Sequence, residues 1–161
     1  MCGVKVEPPP RAGVPGALAW GQARKRRWVC VERIVVSSGS PFEVSIGFSR
    51  AVRVGDRVAV SGTAAIAEDG SVAAPGDGYG QMQRCLEIIE RALVNAGAAM
   101  SDVVRTRIYL TEAGDWEGVA RAHAEVFAGI RPASTVVIVA GLLDPGWRVE
   151  VEADAVVGVA R

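Results

Sequence analysis

This 161-residue chain has one histidine and three cysteines. His123, Cys2, Cys30 and Cys85 stand at no spacing that a zinc or iron site uses, and three cysteines cannot all pair. Neither a metal centre nor a disulfide framework is therefore expected, and the usage suits a reducing, cytoplasmic setting. Net charge is missing too. The 18 basic residues balance 18 acidic ones, so no global field points to nucleic acid or to a membrane surface. No apolar run approaches the ~20 residues of a membrane span. "VPGALAW" (14–20), broken by Pro15 and Gly16 and followed by "RKRR", does not read as a signal peptide.

What is present is a hydrophobic half, 50% of residues, enough for one globular domain with a core. The charge is unevenly placed. Residues 1–30 carry Lys5, Arg11, Arg24, Lys25, Arg26 and Arg27 against Glu7 alone, a net of +5, which leaves −5 for the remainder. Residues 1–29 are rich in Pro, Gly and Arg and show no period, so they are expected to form a disordered basic extension. A basic arm for an acidic partner, or a translation start near Val29, are the alternatives. Residues 30–161 are expected to form a single domain.

Within it the periodicity changes several times. "ERIVVS" (32–37) reads as a strand and "SSGSPFE" (37–43) as a turn. Residues 48–55 and 57–66 alternate around Gly55-Asp56, a hairpin signal. Met82, Leu86, Ile89, Leu93 and Ala96 recur at helical spacing, and Gly97 suits the helix end. Residues 102–111 alternate, with Arg105, Arg107 and Tyr109 on one face and Val104, Thr106, Ile108 and Leu110 on the other. A second helix fits 115–128, with a stripe of Trp116, Val119, Ala122, His123, Val126 and Phe127. "ASTVVIVAGL" (133–142) is apolar enough for a central strand, and 148–157 is the last strand. The order predicts an α+β fold, a sheet with both helices on one face.

That last strand contains "VEVEADAV" (149–156), in which Glu150, Glu152 and Asp154 share one face. If its neighbour is 102–111, Arg105 and Arg107 would face these acids as a cross-strand ladder. Ser61 has no histidine base close in sequence, which argues against a serine hydrolase. Cys85 reads as a small core residue, and His123 as a packed or interfacial one. The glycines of 61–80 lack the lysine and the strand–loop–helix setting of a phosphate loop.

Four segments carry a family resemblance: "FSRAVRVGDRVAVSGTAA", "QMQRCLEIIERALVNAGAAMSDVVRTRIYLT", "HAEVFAGIRPASTVV" and "VEVEADAV". In this order they resemble the Rid family (reactive intermediate deaminases, YjgF-like, also labelled L-PSP endoribonucleases) over about residues 43–157. The resemblance implies a chorismate-mutase-like fold with core strands near 57–63, 103–111, 134–140 and 148–157, the last lying between the first and second. It also implies a homotrimer whose interface clefts take small carboxylate metabolites. Members with the full site hydrolyse imines and enamines to 2-keto acids and ammonia without a metal or organic cofactor.

Carried over residue by residue, the family's last-strand glutamate is Glu150, its serine and glycine are Ser61 and Gly62, and its cleft-closing aromatic is Phe48 in place of tyrosine. An asparagine of the second helix falls on Ala120. The arginine that clamps the substrate carboxylate falls on Ser134, in "RPASTVV". A guanidinium forks two charged hydrogen bonds onto a carboxylate, each worth ~1.5–3 kcal/mol, and a serine hydroxyl does not. Glu150 is thus the expected catalytic group. Phe48, Ser61, Gly62, Ser134, the backbone at Val136, and Arg107 or Arg131 as a stand-in clamp are the expected binding groups. The expected partners are two further copies and a small metabolite, with no nucleic acid and no membrane. A trimer that binds such a metabolite without turnover is the alternative.

Overall fold

The computed structural model describes residues 31–158; the expected basic extension at 1–29 lies outside them. Six strands form one mixed sheet. They are β1 (Arg33–Val36), β2 (Ala51–Val54), β3 (Arg57–Ala64), β4 (Val103–Leu110), β5 (Ala133–Ile138) and β6 (Val149–Val156), in the order β1-β2-β3-β6-β4-β5. Only β4 and β5 are parallel, and the helix that joins them, α3 (Trp116–Phe127), makes the crossover a parallel pair requires. The longer α2 (Gly78–Asn95) packs on β3, β6 and α3. The last strand sits between β3 and β4, as the resemblance implies.

The core follows from the sequence periods. Met82, Cys85, Ile89 and Leu93 of α2 are enclosed against Val149, Val151, Ala153 and Ala155 of β6. Each such large side chain contributes ~1.5–3 kcal/mol by leaving water. α2 ends where Gly97 takes φ +70°. Ala98 N–H then bonds back to Leu93 O at 2.8 Å, and Arg53 Nη1 caps Ala96 O at 2.9 Å. Gly55, at φ +63°, turns the tight β2–β3 hairpin between Val54 and Arg57.

Three expectations are corrected. Part of the expected turn at 37–43 starts a short helix, α1 (Pro41–Ile46), because Ser40 caps it and Pro41 occupies its first turn. Val104 does not share the core face with Thr106. A register shift between Val103 and Arg105 puts Val103 in the core and leaves Val104 exposed. The strand expected to be central, 133–142, ends at Ile138 and lies on the sheet edge, with Val137 41% and Ile138 56% exposed. Its apolar residues on both faces ask for cover that the described residues do not supply. Trp116 and Val126 of the α3 stripe are likewise exposed.

Candidate functional site

Glu150 is placed by an unusual staple. Gln81, fully buried in α2, donates from Nε2 to Gly146 O at 2.9 Å and accepts from Arg148 N–H at 2.8 Å. This fixes the loop that feeds β6, and Glu150 then pairs with Ala64 on β3 and Tyr109 on β4. Its side chain lies on the sheet face away from the helices, since Val149 and Val151 occupy the other.

The neighbouring β3 bulges to make room for it. The β3–β6 register shifts between Val60 and Thr63, across Ser61 and Gly62. A Cβ at Gly62 would collide with Glu150 Oε1, so only glycine lets the carboxyl lie there. Arg50 closes the group: Nη2 donates to Gly62 O at 2.6 Å, while Nε is buried with no partner among the described residues. Burial pushes the Glu150 carboxyl above its usual range, Glu152 pushes the same way, and Arg50 pulls it back in part. Burial pulls Arg50 down against the attraction of Glu43 and Glu150. Buried Glu43 accepts from Ser38 N–H at 2.9 Å and from the hydroxyls of Ser37 and Ser38. Burial acts to raise its proton affinity, but these bonds, with Arg50, hold it below its usual range.

Ser61 Oγ donates to Ser49 O at 2.7 Å, which ties the Phe48–Arg50 segment over the bulge and leaves Phe48 partly exposed beside it. One chain therefore brings Ser61, Gly62, Glu150 and Arg50 together, and carries Phe48 on the segment that Ser61 ties down.

Ser134 and Val136 lie elsewhere. Ser134 is the register partner of Thr106, and Thr106 of Ala153; Val136 partners Ile108, and Ile108 partners Val151. All four partners are buried on the helix side, so Ser134 and Val136 face α3, on the opposite face from Glu150 and two strands away. The same face of β5 carries a shallow groove of about 410 Å³ lined by Leu110, Ala113, Trp116, Val136 and Ile138.

Arg107 belongs to the Glu150 face. Its Nη1 reaches Glu152 Oε2 at 3.0 Å and its Nη2 reaches Asp154 Oδ2 at 3.2 Å. The expected ladder is thus built by one arginine holding both acids, with Tyr109 O–H adding a bond to Glu152 at 3.3 Å. Arg105, opposite Asp154, forms no ion pair among the described residues. Within one chain neither Arg107 nor Ser134 can reach the other's face.

Two features escape a reading by spacing. Arg50 stands in a loop a hundred positions from Glu150, and nothing in the strand pattern marks it. His123 Nε2 lies 3.1 Å from Thr106 Oγ1, which lies 3.0 Å from Ser134 Oγ; the available signal was three polar residues at apolar positions of successive elements. Both lysines, Lys5 and Lys25, lie outside the described residues. Among the described residues no group of His, Cys, Asp and Glu is arranged to hold a metal, and no helix is long and apolar enough to cross a membrane.

Residues 38–157 match the family described as endoribonuclease L-PSP. An uncharacterized protein of Streptomyces coelicolor is 41% identical over 120 residues, 74% of this chain and 89% of that protein. The 3-aminoacrylate deaminase RutC of Acinetobacter baylyi is 31% identical over 120 residues, 74% of this chain and 94% of RutC. The crystal structure of Rv2704 from Mycobacterium tuberculosis, described as a member of the YjgF/YER057c/UK114 family, is 46% identical. It superposes with a TM-score of 0.71 over 78% of this chain and 100% of that one.

Proposed function

The chain belongs to the endoribonuclease L-PSP (YjgF/YER057c/UK114) family, and from that premise we propose that it hydrolyses a small imine or enamine carboxylate in a cleft completed by a second copy. The observation that carries the reading is the Glu150 carboxyl, half-buried over Gly62 and raised in proton affinity by burial. Such a group holds a proton at pH values where an ordinary glutamate does not, which suits a general acid. RutC, by its name, acts on 3-aminoacrylate, an enamine that bears a carboxylate.

The chemistry is brief. An enamine takes a proton at carbon and becomes the imine. Glu150 gives its proton to the imine nitrogen as water attacks the adjoining carbon. One proton of that water ends on the departing nitrogen, the C–N bond breaks, ammonia leaves, and the hydroxyl proton returns to Glu150. Gly62 N–H, Ser61 and the backbone at Val136 bind substrate oxygens, Phe48 walls the cleft, and Arg107 orders the acidic strand. The Glu150 group and the Ser134–Val136 edge occupy opposite faces of one sheet, so a cleft using both needs two copies. A closed trimer supplies three such clefts.

Ser134 favours a second reading, a trimer that binds the metabolite without turning it over, because the expected arginine is absent there. RNA is the weaker ligand: residues 31–161 carry the −5 balance and no lysine, the reverse of an electrostatic footprint for phosphates. The test is release of ammonia and 2-keto acid from enzymatically generated imines, by wild type and by Ser134→Arg. Turnover by wild type supports the deaminase. Turnover by the variant alone supports the binding protein. Silence from both removes imines as substrates.

A further inference from the structure

We propose that Arg50 is the positioning residue of the Glu150 site. It ties down the bulge that seats the carboxyl, and its positive charge steadies the carboxylate left when the proton departs. The proposal rests on the reading of Glu150 as a general acid, and it assigns the group that eases release of that proton.

Arg50 grips the bulge at two points. Its carbonyl accepts from Ser61 N–H at 3.1 Å, and its Nη2 donates to Gly62 O at 2.6 Å. Val60 pairs with Ala153 and Thr63 with Val151, so Ser61 and Gly62 together stand opposite Glu152 alone. Two residues against one leave an arc of β3 outside the regular ladder, and Arg50 bonds to both of its members. The Glu150 carboxyl lies against Gly62, where a Cβ would collide with Oε1. Gly62 is therefore the shared neighbour of the guanidinium and the carboxyl. Ala51 is buried on the helix side, which turns Arg50 toward the open face that carries Glu150.

The fold alone does not call for this arginine. Its one side-chain bond is to a peptide carbonyl, and its Nε is buried with no partner among the described residues. A charge withdrawn from water with so few bonds is costly, and an apolar side chain in its place often costs less. Two carboxylates attract it through space without closing an ion pair among the described residues: Glu43, which Ser37 and Ser38 hold, and Glu150. The other groups around Glu150 are engaged elsewhere or carry no positive charge. Glu152, beside it on β6, is held by Arg107 of β4. Tyr109, opposite on β4, bonds to Glu152, and Cys85 of α2 is a buried thiol pushed above its usual range. Arg50 is the cation whose charge reaches Glu150. A neutral carboxyl gains little from that charge. The carboxylate formed as the proton moves to the imine nitrogen gains more, so the attraction grows along the reaction.

Three substitutions separate the charge from the seat. Arg50→Gln keeps a donor for Gly62 O and loses the charge, Arg50→Met loses both, and Arg50→Lys keeps the charge. Carboxyl ¹³C spectra of the full chain give the titration midpoint of Glu150, assigned by the signal that Glu150→Gln removes. That midpoint should move to higher pH in Arg50→Gln and Arg50→Met and return toward wild type in Arg50→Lys. With an enzymatically generated imine, kcat on the low-pH plateau should fall about tenfold in the two neutral variants, with KM little changed. Arg50→Lys should recover most of that loss, and the alkaline limb of the kcat profile should follow the midpoint. A midpoint unmoved or lowered in the neutral variants, or an Arg50→Lys that behaves as Arg50→Gln does, overturns the proposal. So does unfolding of both neutral variants, which makes Arg50 a residue of the fold. A wild type that turns over no imine removes the hydrolytic reading instead, and the titration midpoints alone then decide whether Arg50 governs Glu150.

Discussion

On the open face of the sheet, Arg107 holds Glu152 and Asp154, Tyr109 adds a bond to Glu152, and Arg50 feels the charges of both Glu150 and Glu43. Along β5, by contrast, Val137 and Ile138 lie exposed, and the polar groups are the hydroxyls of Ser134 and Thr106. The first region is organised by charge, though Arg50 Nε is buried without a partner among the described residues. The second presents apolar surface that the described residues leave exposed. An exposed apolar edge strand is a ready template for pairing with another surface. The difference gives two places to test for a second copy: the apolar β5 edge and the partly exposed charges of the open face.

The largest expected effect breaks the apolar side of that contrast. Ile138→Asp places a charge on a residue 56% exposed in the single chain, so the folded subunit should keep its helix and strand content. If the edge is covered in the assembly, the buried charge should shift the mass measured by light scattering from trimer to monomer. A variant that keeps the wild-type mass would show that β5 is not a contact.

Next in size is Gly62→Ala, which acts on the polar side. The added Cβ meets the end of the Glu150 side chain and not backbone, so the carboxyl can swing away and the fold survives. Glu150 then leaves the position beside Arg50 and Gly62. Turnover should fall by about 10²–10⁴, the range of a lost general acid, with the thermal midpoint nearly unchanged. Equal loss of midpoint and turnover would mean that Gly62 serves the fold and not the site.

The same contrast explains what could be read from the sequence. The helices and β6 were legible because their apolar residues keep one period throughout, as Met82 to Leu93 and Val149 to Ala155 do. Val104 departs from the expected face because a bulge between Val103 and Arg105 breaks the alternation there, while residues 105–110 keep it. The edge position of β5 was misread because "STVVI" has the composition of a strand covered on both sides, and sequence does not say whether its own chain provides the cover. Glu150 and Gly62 were legible through their motifs. Arg50 was not, since its meeting with Gly62 O depends on how the loop after α1 crosses the bulge. His123, Thr106 and Ser134 each sat visibly at an apolar position, but only the β4–β5 register and the docking of α3 join them.

Smaller effects sharpen the contrast through pH, because burial shifts one group on each side in opposite senses. The Glu150 carboxyl is raised above the usual 4.5. Folding therefore favours its protonated form, and its contribution is full below pH 4.5 and lost as pH rises through the folded value. Glu150→Gln should gain stability over wild type between acid and neutral pH. His123 is lowered from the usual 6.5. Its contribution is present above pH 6.5 and lost as pH falls through the folded value, so His123→Gln should flatten the acid limb of the stability curve. Denaturant midpoints measured from pH 4 to 8 read both, and parallel curves for the two variants would contradict the opposed shifts.

The smallest effect within a single chain comes from Arg107→Met, yet it tells most about what covers the open face. Arg107, Glu152 and Asp154 keep 38%, 34% and 39% of their side-chain surface in the isolated subunit. Pairs that wet are screened, so removing the guanidinium should cost little and the cost should fade in 1 M salt, where the Debye length is ~3 Å. If the assembly instead buries this face, the two carboxylates left behind are stranded away from water. The loss then becomes large and insensitive to salt, because desolvation and not screened attraction sets it. Denaturation of Arg107→Met and wild type at low and high salt separates the two cases. Arg105→Met, which removes a charge with no ion pair among the described residues, is the control that should show neither behaviour.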